Sequence, residues 1–215
     1  DAAVADALLR EFEAAARRLG VRELHVAGSA PNYFLPGIDP RDTLTLNYYL
    51  DRGFERLREA FNMTADLTAS NWATTAEEQA LEAEGIACRR LRLEDRPALA
   101  EFMRAYFSEG WLTETCLGYQ VEPVTVQVAW HQQRIVAFAA AEVTNPGWFG
   151  PMGTAPDYRR HGLGRILLRR CLADLRALGY REAQIGWVGP LGFYARHCGA
   201  RVSRVFWMLR RELAD

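Results

Sequence analysis

The chain has 215 residues, a formal net charge of −1 and a hydrophobic fraction of 49%. This length allows one large or two small domains with a buried core, and the near-zero charge argues against a nucleic-acid or membrane partner. The cysteines and histidines are scattered without metal-ligand or disulfide spacing. We therefore expect a reduced, cytoplasmic protein without a metal site, a signal peptide or a membrane span.

The first twenty residues predict an amphipathic helix. Six apolar side chains recur at helical spacing, namely Val4, Leu8, Leu9, Phe12, Ala16 and Leu19. This spacing predicts one buried face. Gly20 ends the helix, and residues 21–26 predict a short buried strand.

A similar pattern returns near the other end of the chain, where residues 178–185 align with residues 19–26. Further on, Tyr48 precedes Gly53 at the spacing that separates Tyr194 from Gly199. We interpret this as an internal repeat. Residues 1–70 form a partial first copy, residues 71–85 a linker, and residues 86–215 a complete second copy.

The middle of the first copy carries an insertion at residues 29–39, rich in proline, glycine and aromatic residues. This composition predicts a stiff loop, either packed on the surface or lining a binding cleft. Residues 54–67 alternate loosely, as in a terminal pair of strands. The polar linker that follows contains a helix-like acidic stretch at residues 77–84.

The second copy opens with residues 86–93, which alternate as a half-buried strand does. Asp95 is placed to cap the helix that follows. Residues 125–130 and 134–143 predict a hairpin, with Glu142 near the end of its second strand.

Residues 147–154 predict a strand that leads into a glycine loop. Pro151 cannot donate to a ladder, and the adjacent glycines favour a bulge. The break either opens the sheet for a ligand or marks a kinked edge strand.

The glycine loop at residues 155–165 opens into an amphipathic helix. Its apolar face is predicted to comprise Leu163, Leu167, Leu168, Cys171, Leu172, Leu175 and Leu178. The glycines allow close approach of the backbone, and the first helical amides, the dipole and the arginines favour an anion such as pyrophosphate. A solvated, arginine-rich helix N-terminus is the alternative.

The pattern Arg159-x-x-Gly162-x-Gly164 resembles the signature of the GNAT superfamily of N-acetyltransferases, and the similarity extends from about Ile86 to the end. It implies an α/β fold on a mixed sheet, of tandem GNAT type with a truncated first copy. The repeat alignment places Ala3-Val4-Ala5 where Gly162-Leu163-Gly164 stands. Because alanine restricts the backbone there, we expect the first copy to be degenerate and unable to hold coenzyme A.

The resemblance implies transfer of an acetyl group from acetyl-CoA to a primary amine of a small molecule or peptide. The residues implied in coenzyme A binding are Met152, Gly153, Thr154, Arg159, Arg160, His161, Gly162, Leu163, Gly164 and Arg165. Tyr194 matches the tyrosine that protonates the departing thiolate, although simple packing would also explain it. Relatives often carry an asparagine where this chain has Trp187.

Glu142 is the preferred candidate for the base that deprotonates the amine, followed by Glu114. A solvated carboxylate is the alternative for both. Two further functional hypotheses stay open, namely a non-catalytic acyl-CoA-binding or interaction module and an unrelated α/β protein that binds a nucleotide phosphate. We expect no nucleic-acid or membrane partner and allow for a homodimer.

Overall fold

The computed structural model of the chain describes residues 2–28 and 35–213. Contacts divide these residues into two compact units. Unit 2 comprises Asn62–Ser203, and unit 1 comprises the described residues on either side of that range. Most of the predicted insertion at residues 29–39 lies outside the described residues, which resume at Leu35.

Unit 2 is built on a mixed sheet. Its complete strands are β3 (Ala87–Arg90), β4 (Val126–His131), β5 (Arg134–Ala141), β6 (Trp148–Thr154) and β7 (Glu182–Val188). The order is β7-β6-β5-β4-β3, antiparallel from β3 to β6 and parallel between β6 and β7. Residues 135–141 of β5 are all buried, as expected for a strand covered on both faces of its sheet.

The predicted hairpin is confirmed. Strands β4 and β5 are joined by Gln132 and Gln133, whose φ angles are 50° and 62°. Two successive residues with positive φ are what a tight two-residue hairpin turn requires. The turn brings His131 and Arg134 together at one end of the sheet.

The helices of unit 2 are α3 (Thr75–Ala83), α4 (Arg96–Tyr106), α5 (Glu109–Cys116), α6 (Leu163–Ala177) and α7 (Leu191–Cys198). Helix α6 packs on β4, β5 and β6, and α4 packs on β5. The predicted apolar face of α6 is buried from Leu163 to Leu175. Leu178 was expected on this face but is 41% exposed, because the helix ends at Ala177 and the chain turns at Gly179 with φ 98°.

Unit 1 contains α1 (Ala2–Arg18), β1 (Glu23–His25) and α2 (Thr43–Leu50). The prediction of a buried α1 face is wrong in large part. Val4, Leu8, Phe12 and Leu19 are all more than half exposed. Ala16 is the buried residue of this helix, and it packs in a small core with Leu24, Leu46 and Leu209. The apolar face of α1 therefore contributes little to the core of unit 1.

Two long strands run through both units, β2 (Glu55–Asp66) and β8 (Arg201–Glu212). In unit 1, β8 pairs antiparallel with β1, for example Leu24 with Arg211, and β2 is the next strand. In unit 2, the end of β2 lies beside β7. Most of the stretch 54–67 thus forms one continuous strand, Glu55–Asp66, rather than the predicted pair, and it contains no glycine or proline that would break it.

Asp95 does not cap α4 with its side chain, contrary to the sequence-based expectation. It ends a 3₁₀ helix, Leu93–Asp95, and its carboxylate accepts the amide of Arg92 at 2.8 Å. The same carboxylate accepts two guanidinium hydrogen bonds from Arg89, at 2.6 and 2.9 Å. These bonds fix the path from β3 into α4 and hold the pKa of Asp95 below its ordinary value, chiefly through Arg89.

Candidate functional site

The central feature of unit 2 is the separation of β6 from β7. Their paired residues are Trp148 with Gln184 and Phe149 with Ile185, and these two strands, both within the described residues, do not pair further along. Gly150 follows at φ 123°, and Pro151 has no amide hydrogen to donate. The kink predicted from the glycines and proline thus coincides with an opening between two parallel strands.

The open edge of β6 presents peptide groups toward β7. The amide of Ala155 donates to the carbonyl of Val136 at 2.9 Å, and Gly153 is paired with Phe138 of β5. Successive peptide groups of a strand point in opposite directions. Those of Met152 and Thr154 therefore point away from β5 and into the opening.

Beyond β6, a glycine loop begins helix α6. Gly162 adopts φ 73°, a left-handed conformation that glycine tolerates and other residues disfavour. The amides of Arg165 and Ile166 donate to its carbonyl at 3.1 and 3.2 Å. The amides of Leu163 and Gly164 precede these bonds, so they have no helical acceptor and remain available to an anion.

The charge of this loop is positive. Arg159, Arg160 and His161 are exposed, and no carboxylate of the described residues forms an ion pair with either arginine. The third loop arginine, Arg165, lies 3.5 Å from a carboxylate oxygen of Glu77 and is partly neutralised. Arg159 and Arg160 are therefore the cations best placed to meet a phosphate.

The loop is anchored by a contact that the sequence reasoning missed. The Tyr158 hydroxyl and Nδ1 of His131 share a hydrogen bond at 2.6 Å, and Arg134 approaches the same hydroxyl at 3.5 Å. Tyr158 is 8% exposed. Since His131 and Arg134 flank the β4–β5 turn, this bond holds the start of the loop on the sheet.

Tyr194 lies where β6 and β7 part. Its ring meets Phe149, the last residue of β6 that pairs with β7, edge to face at 6.0 Å. Burial raises the pKa of Tyr194 well above its ordinary value, so the phenol stays protonated at neutral pH. An added Cβ on Gly164 would lie 3.2 Å from Met152 of β6 and 3.6 Å from Phe193 of α7. The glycine loop, β6 and α7 therefore lie close together at this point.

Residues 86–200, just over half of the chain, match the Acetyltransferase (GNAT) family. The chain belongs to the GNAT acetyltransferase family. This family uses acetyl-CoA as its co-substrate, and the open strand edge and cationic glycine loop lie inside the matched range.

Individual relatives of this GNAT chain cover limited parts of it. The mycothiol acetyltransferase of Thermobifida fusca (strain YX) is 34% identical over 84 residues, which are 38% of this chain and 26% of that protein. The chain thus spans about a quarter of this relative's length.

Two solved structures share the fold. One is the GCN5-related glucosamine N-acetyltransferase region of a fungal multi-domain β-N-acetylglucosaminidase, with a TM-score of 0.73 and 17% identity over 91% of this chain and 26% of that one. The other is a tandem GNAT protein from the clavulanic acid biosynthesis pathway, with a TM-score of 0.62 and 17% identity over 98% of this chain and 70% of that one.

The two carboxylates considered as bases in this GNAT chain are both engaged. Glu142 adopts φ 62° between β5 and β6, and its carboxylate accepts the amide of Gly147 and, at 3.3 Å, the Tyr180 hydroxyl. Glu114 is 3% exposed and accepts a hydrogen bond from Thr144. Neither hydrogen bond identifies the group that deprotonates the amine, so the base stays a prediction.

An aromatic wall covers β6 on the side of α4 and α5. Phe107 lies so close to Gly153 that an added Cβ would be 2.2 Å from its Cζ. Its ring stacks on Trp111 at 5.2 Å and meets Phe138 at 5.7 Å. The sequence analysis did not predict this contact with β6. The face of β6 at Gly153 is therefore covered by apolar surface.

Among the described residues, no group of three or more His, Cys, Asp or Glu side chains is placed to hold a metal ion. None of the described helices has both the length and the apolar character needed to cross a membrane.

Proposed function

We propose that the chain is an N-acetyltransferase that moves an acetyl group from acetyl-CoA to a primary amine, with its active site in unit 2. The observation that carries the proposal is the open edge of β6. This strand leads into the glycine loop that begins α6, and the loop contains Arg159 and Arg160. A strand edge suits a pantetheine amide chain, and a cationic helix N-terminus suits a pyrophosphate.

In this proposal the loop from Arg159 to Arg165 binds the pyrophosphate, and the peptide groups of Met152 and Thr154 pair with the pantetheine arm. The amine attacks the thioester carbonyl, forming a C–N bond as the C–S bond breaks. Tyr194 donates its proton to the departing thiolate, whose thiol has an ordinary pKa of about 8.5. The protonated state of the buried phenol supports this role.

Glu142 is proposed as the group that receives the proton of the amine, with Glu114 as the second candidate. Glu142 lies in the turn between β5 and β6, next to the strand that carries the open edge. Its hydrogen bonds with Gly147 and Tyr180 fix its position, which favours an oriented base over a freely solvated carboxylate.

We further propose that residues 1–70 are a degenerate GNAT copy, joined through residues 71–85 to the complete copy at residues 86–215. The order α1-β1-α2-β2 equals the order α6-β7-α7-β8. Strands β2 and β8 each have twelve residues, and in each the first four are exposed while the sixth, eighth and ninth are buried.

Equivalent hydrogen bonds also support the repeat. The amide of Leu67, after β2, donates to the carbonyl of Arg181 at 2.9 Å, and the amide of Leu213, after β8, donates to that of Arg22 at 2.8 Å. The likeness in fold to a tandem GNAT protein over nearly the whole chain agrees with this interpretation.

The first copy has lost the features that bind coenzyme A. Asp6 falls where Arg165 stands in the second copy, so a cation is replaced by an anion that repels phosphate. The Tyr48 hydroxyl, counterpart of Tyr194, donates to the Asp6 carboxylate at 3.0 Å, and Arg52 donates to the same oxygen at 2.7 Å. These bonds suit a structural role for the first copy.

Calorimetric titration of acetyl-CoA tests the proposal. We expect the parent chain to bind with a Kd between about 1 µM and 1 mM, typical of enzyme substrates. Arg160→Glu/Gly164→Trp should abolish binding, whereas Ala5→Trp, at the equivalent place of the first copy, should leave it unchanged. A parent chain that does not bind acetyl-CoA refutes the assignment.

Turnover separates an enzyme from a binding module. Release of the coenzyme A thiol is followed with a panel of amines that includes glucosamine and peptide N-termini. Binding without thiol release above the rate of uncatalysed hydrolysis would favour the non-catalytic module over the transferase.

A further inference from the structure

The end of β7 is held in an uncommon conformation. Trp187 adopts φ 47°, a left-handed region that bulky residues rarely occupy unless their surroundings enforce it. Trp187 lies two residues after Ile185, which is the last residue of β7 that pairs with β6. The surroundings that enforce this turn therefore also determine how far β7 stands from β6.

One such constraint comes from β2. The amide of Trp187 donates to Oδ1 of Asn62 at 2.9 Å, and Asn62 is only 4% exposed. The carbonyl of Asn62 in turn accepts the Ser203 hydroxyl at 3.3 Å. A buried side-chain oxygen thus takes the place of a backbone acceptor and ties β7 to β2, on the side away from β6.

A second constraint acts from the β6 side. Gly186 has no Cβ, and one added there would lie 2.5 Å from Cζ3 of Trp148. The indole of Trp148 therefore covers the face of β7 immediately beyond the paired residues, where a side chain at position 186 would otherwise stand.

We propose that Asn62 is a positioning residue for coenzyme A: by binding the amide of Trp187 it keeps β7 apart from β6, so that the pantetheine arm can reach the edge at Met152 and Thr154. This inference rests on the proposed function. Without the Asn62 oxygen, the Trp187 amide loses this acceptor, and this bond no longer holds β7 on β2 where it leaves β6.

The chain offers a matched control on the same strand. Thr64 lies two residues beyond Asn62, and its hydroxyl donates to the side-chain oxygen of Gln184 at 3.1 Å. Gln184 belongs to the part of β7 that pairs with β6. Thr64→Val therefore removes another side-chain hydrogen bond between β2 and β7, one that lies outside the opening.

The test compares two ligands by calorimetry, acetyl-CoA and adenosine 3′,5′-bisphosphate, which has no pantetheine arm. We expect Asn62→Ala to weaken acetyl-CoA binding by about tenfold or more, the effect of one lost buried hydrogen bond, and to leave the bisphosphate within about twofold. Thr64→Val should change neither. Equal losses for both ligands, or equal effects of the two variants, would overturn the inference.

Hydrogen exchange checks the tie itself without any ligand. The Trp187 amide should be protected in the parent chain and should exchange about tenfold faster in Asn62→Ala but not in Thr64→Val. An unprotected amide in the parent would refute the tie. If Asn62→Ala does not fold, Asn62→Ser replaces it with the same expectations, because the serine side chain is too short for its oxygen to reach the Trp187 amide. A parent chain that binds neither ligand refutes the proposed function and this inference together.

Discussion

Replacing Gly153 by alanine probes the contact between β6 and the aromatic wall. The backbone of Gly153 is outside the left-handed region, so alanine meets no conformational barrier. The added methyl group would lie 2.2 Å from Cζ and 2.6 Å from Cε1 of Phe107. Carbon atoms pack at about 3.5 Å or more, so the ring must withdraw by roughly 1 Å.

The ring has little room to withdraw. Phe107 stacks on Trp111 and meets the rings of Phe102 and Phe138, which are 4% and 0% exposed. Overpacking of this kind costs about 1–3 kcal/mol. The loss of backbone freedom in the unfolded chain offsets about 0.4–1 kcal/mol of that. We therefore expect Gly153→Ala to lower the free energy of unfolding by about 1–2 kcal/mol.

Urea denaturation followed by tryptophan fluorescence measures this change. Gly164→Ala is the control, because its methyl group would meet the flexible end of Met152 at 3.2 Å and would be in ordinary contact with Phe193 at 3.6 Å. Phe107→Leu should relieve the clash, so the double variant with Gly153→Ala should show a coupling of about 0.5–3 kcal/mol. A Gly153→Ala chain as stable as the parent, or an additive double variant, would refute the packing argument.

Three further predictions follow from the described contacts. Tyr194→Phe should lower kcat by about 10²–10⁴-fold with little change in the KM for acetyl-CoA, whereas Tyr48→Phe should leave kcat unchanged. Equal kcat values for the two variants in a thiol-release assay would exclude the role of Tyr194 as the acid. Asp95→Asn should destabilise the chain by about 2 kcal/mol at pH 7 through weaker bonds to Arg89. Because the folded pKa of Asp95 is lowered, this stabilisation is present above the unfolded pKa of about 3.9 and is lost as the pH falls through the folded value, so urea titrations of parent and variant should converge in acid. Burial raises the pKa of Cys88 to about 11, so its alkylation by iodoacetamide at pH 8 should be slower than that of an unfolded peptide thiol, and equal rates would contradict that burial.

Local sequence patterns determined much of this fold. The β4–β5 hairpin follows from two strand-forming runs separated by a few polar residues, and its turn closes with positive φ angles at Gln132 and Gln133. The start of α6 at Gly162 and its buried face follow from a glycine pair ahead of a periodic apolar run. Such features depend on backbone preferences and side-chain periods over a few residues, which a sequence displays directly.

Only the tertiary structure decided which of the predicted groups meet. The apolar residues of α1 recur as regularly as those of α6, yet most of the apolar face of α1 is exposed. Periodicity predicts that a helix has an apolar face, but it does not predict which element packs on that face. Glu142 was placed correctly near the end of a strand, but its engagement with Gly147 and Tyr180 depends on a turn and a distant helix end.

The contacts that shape the cleft are the least visible in the sequence. Asn62 and Trp187 are 125 positions apart and join only because β2 lies beside β7. Phe107 meets Gly153 only because α4 ends over β6. No local preference of these residues encodes such contacts, since their energy arises when packing brings separate elements together and excludes water between them.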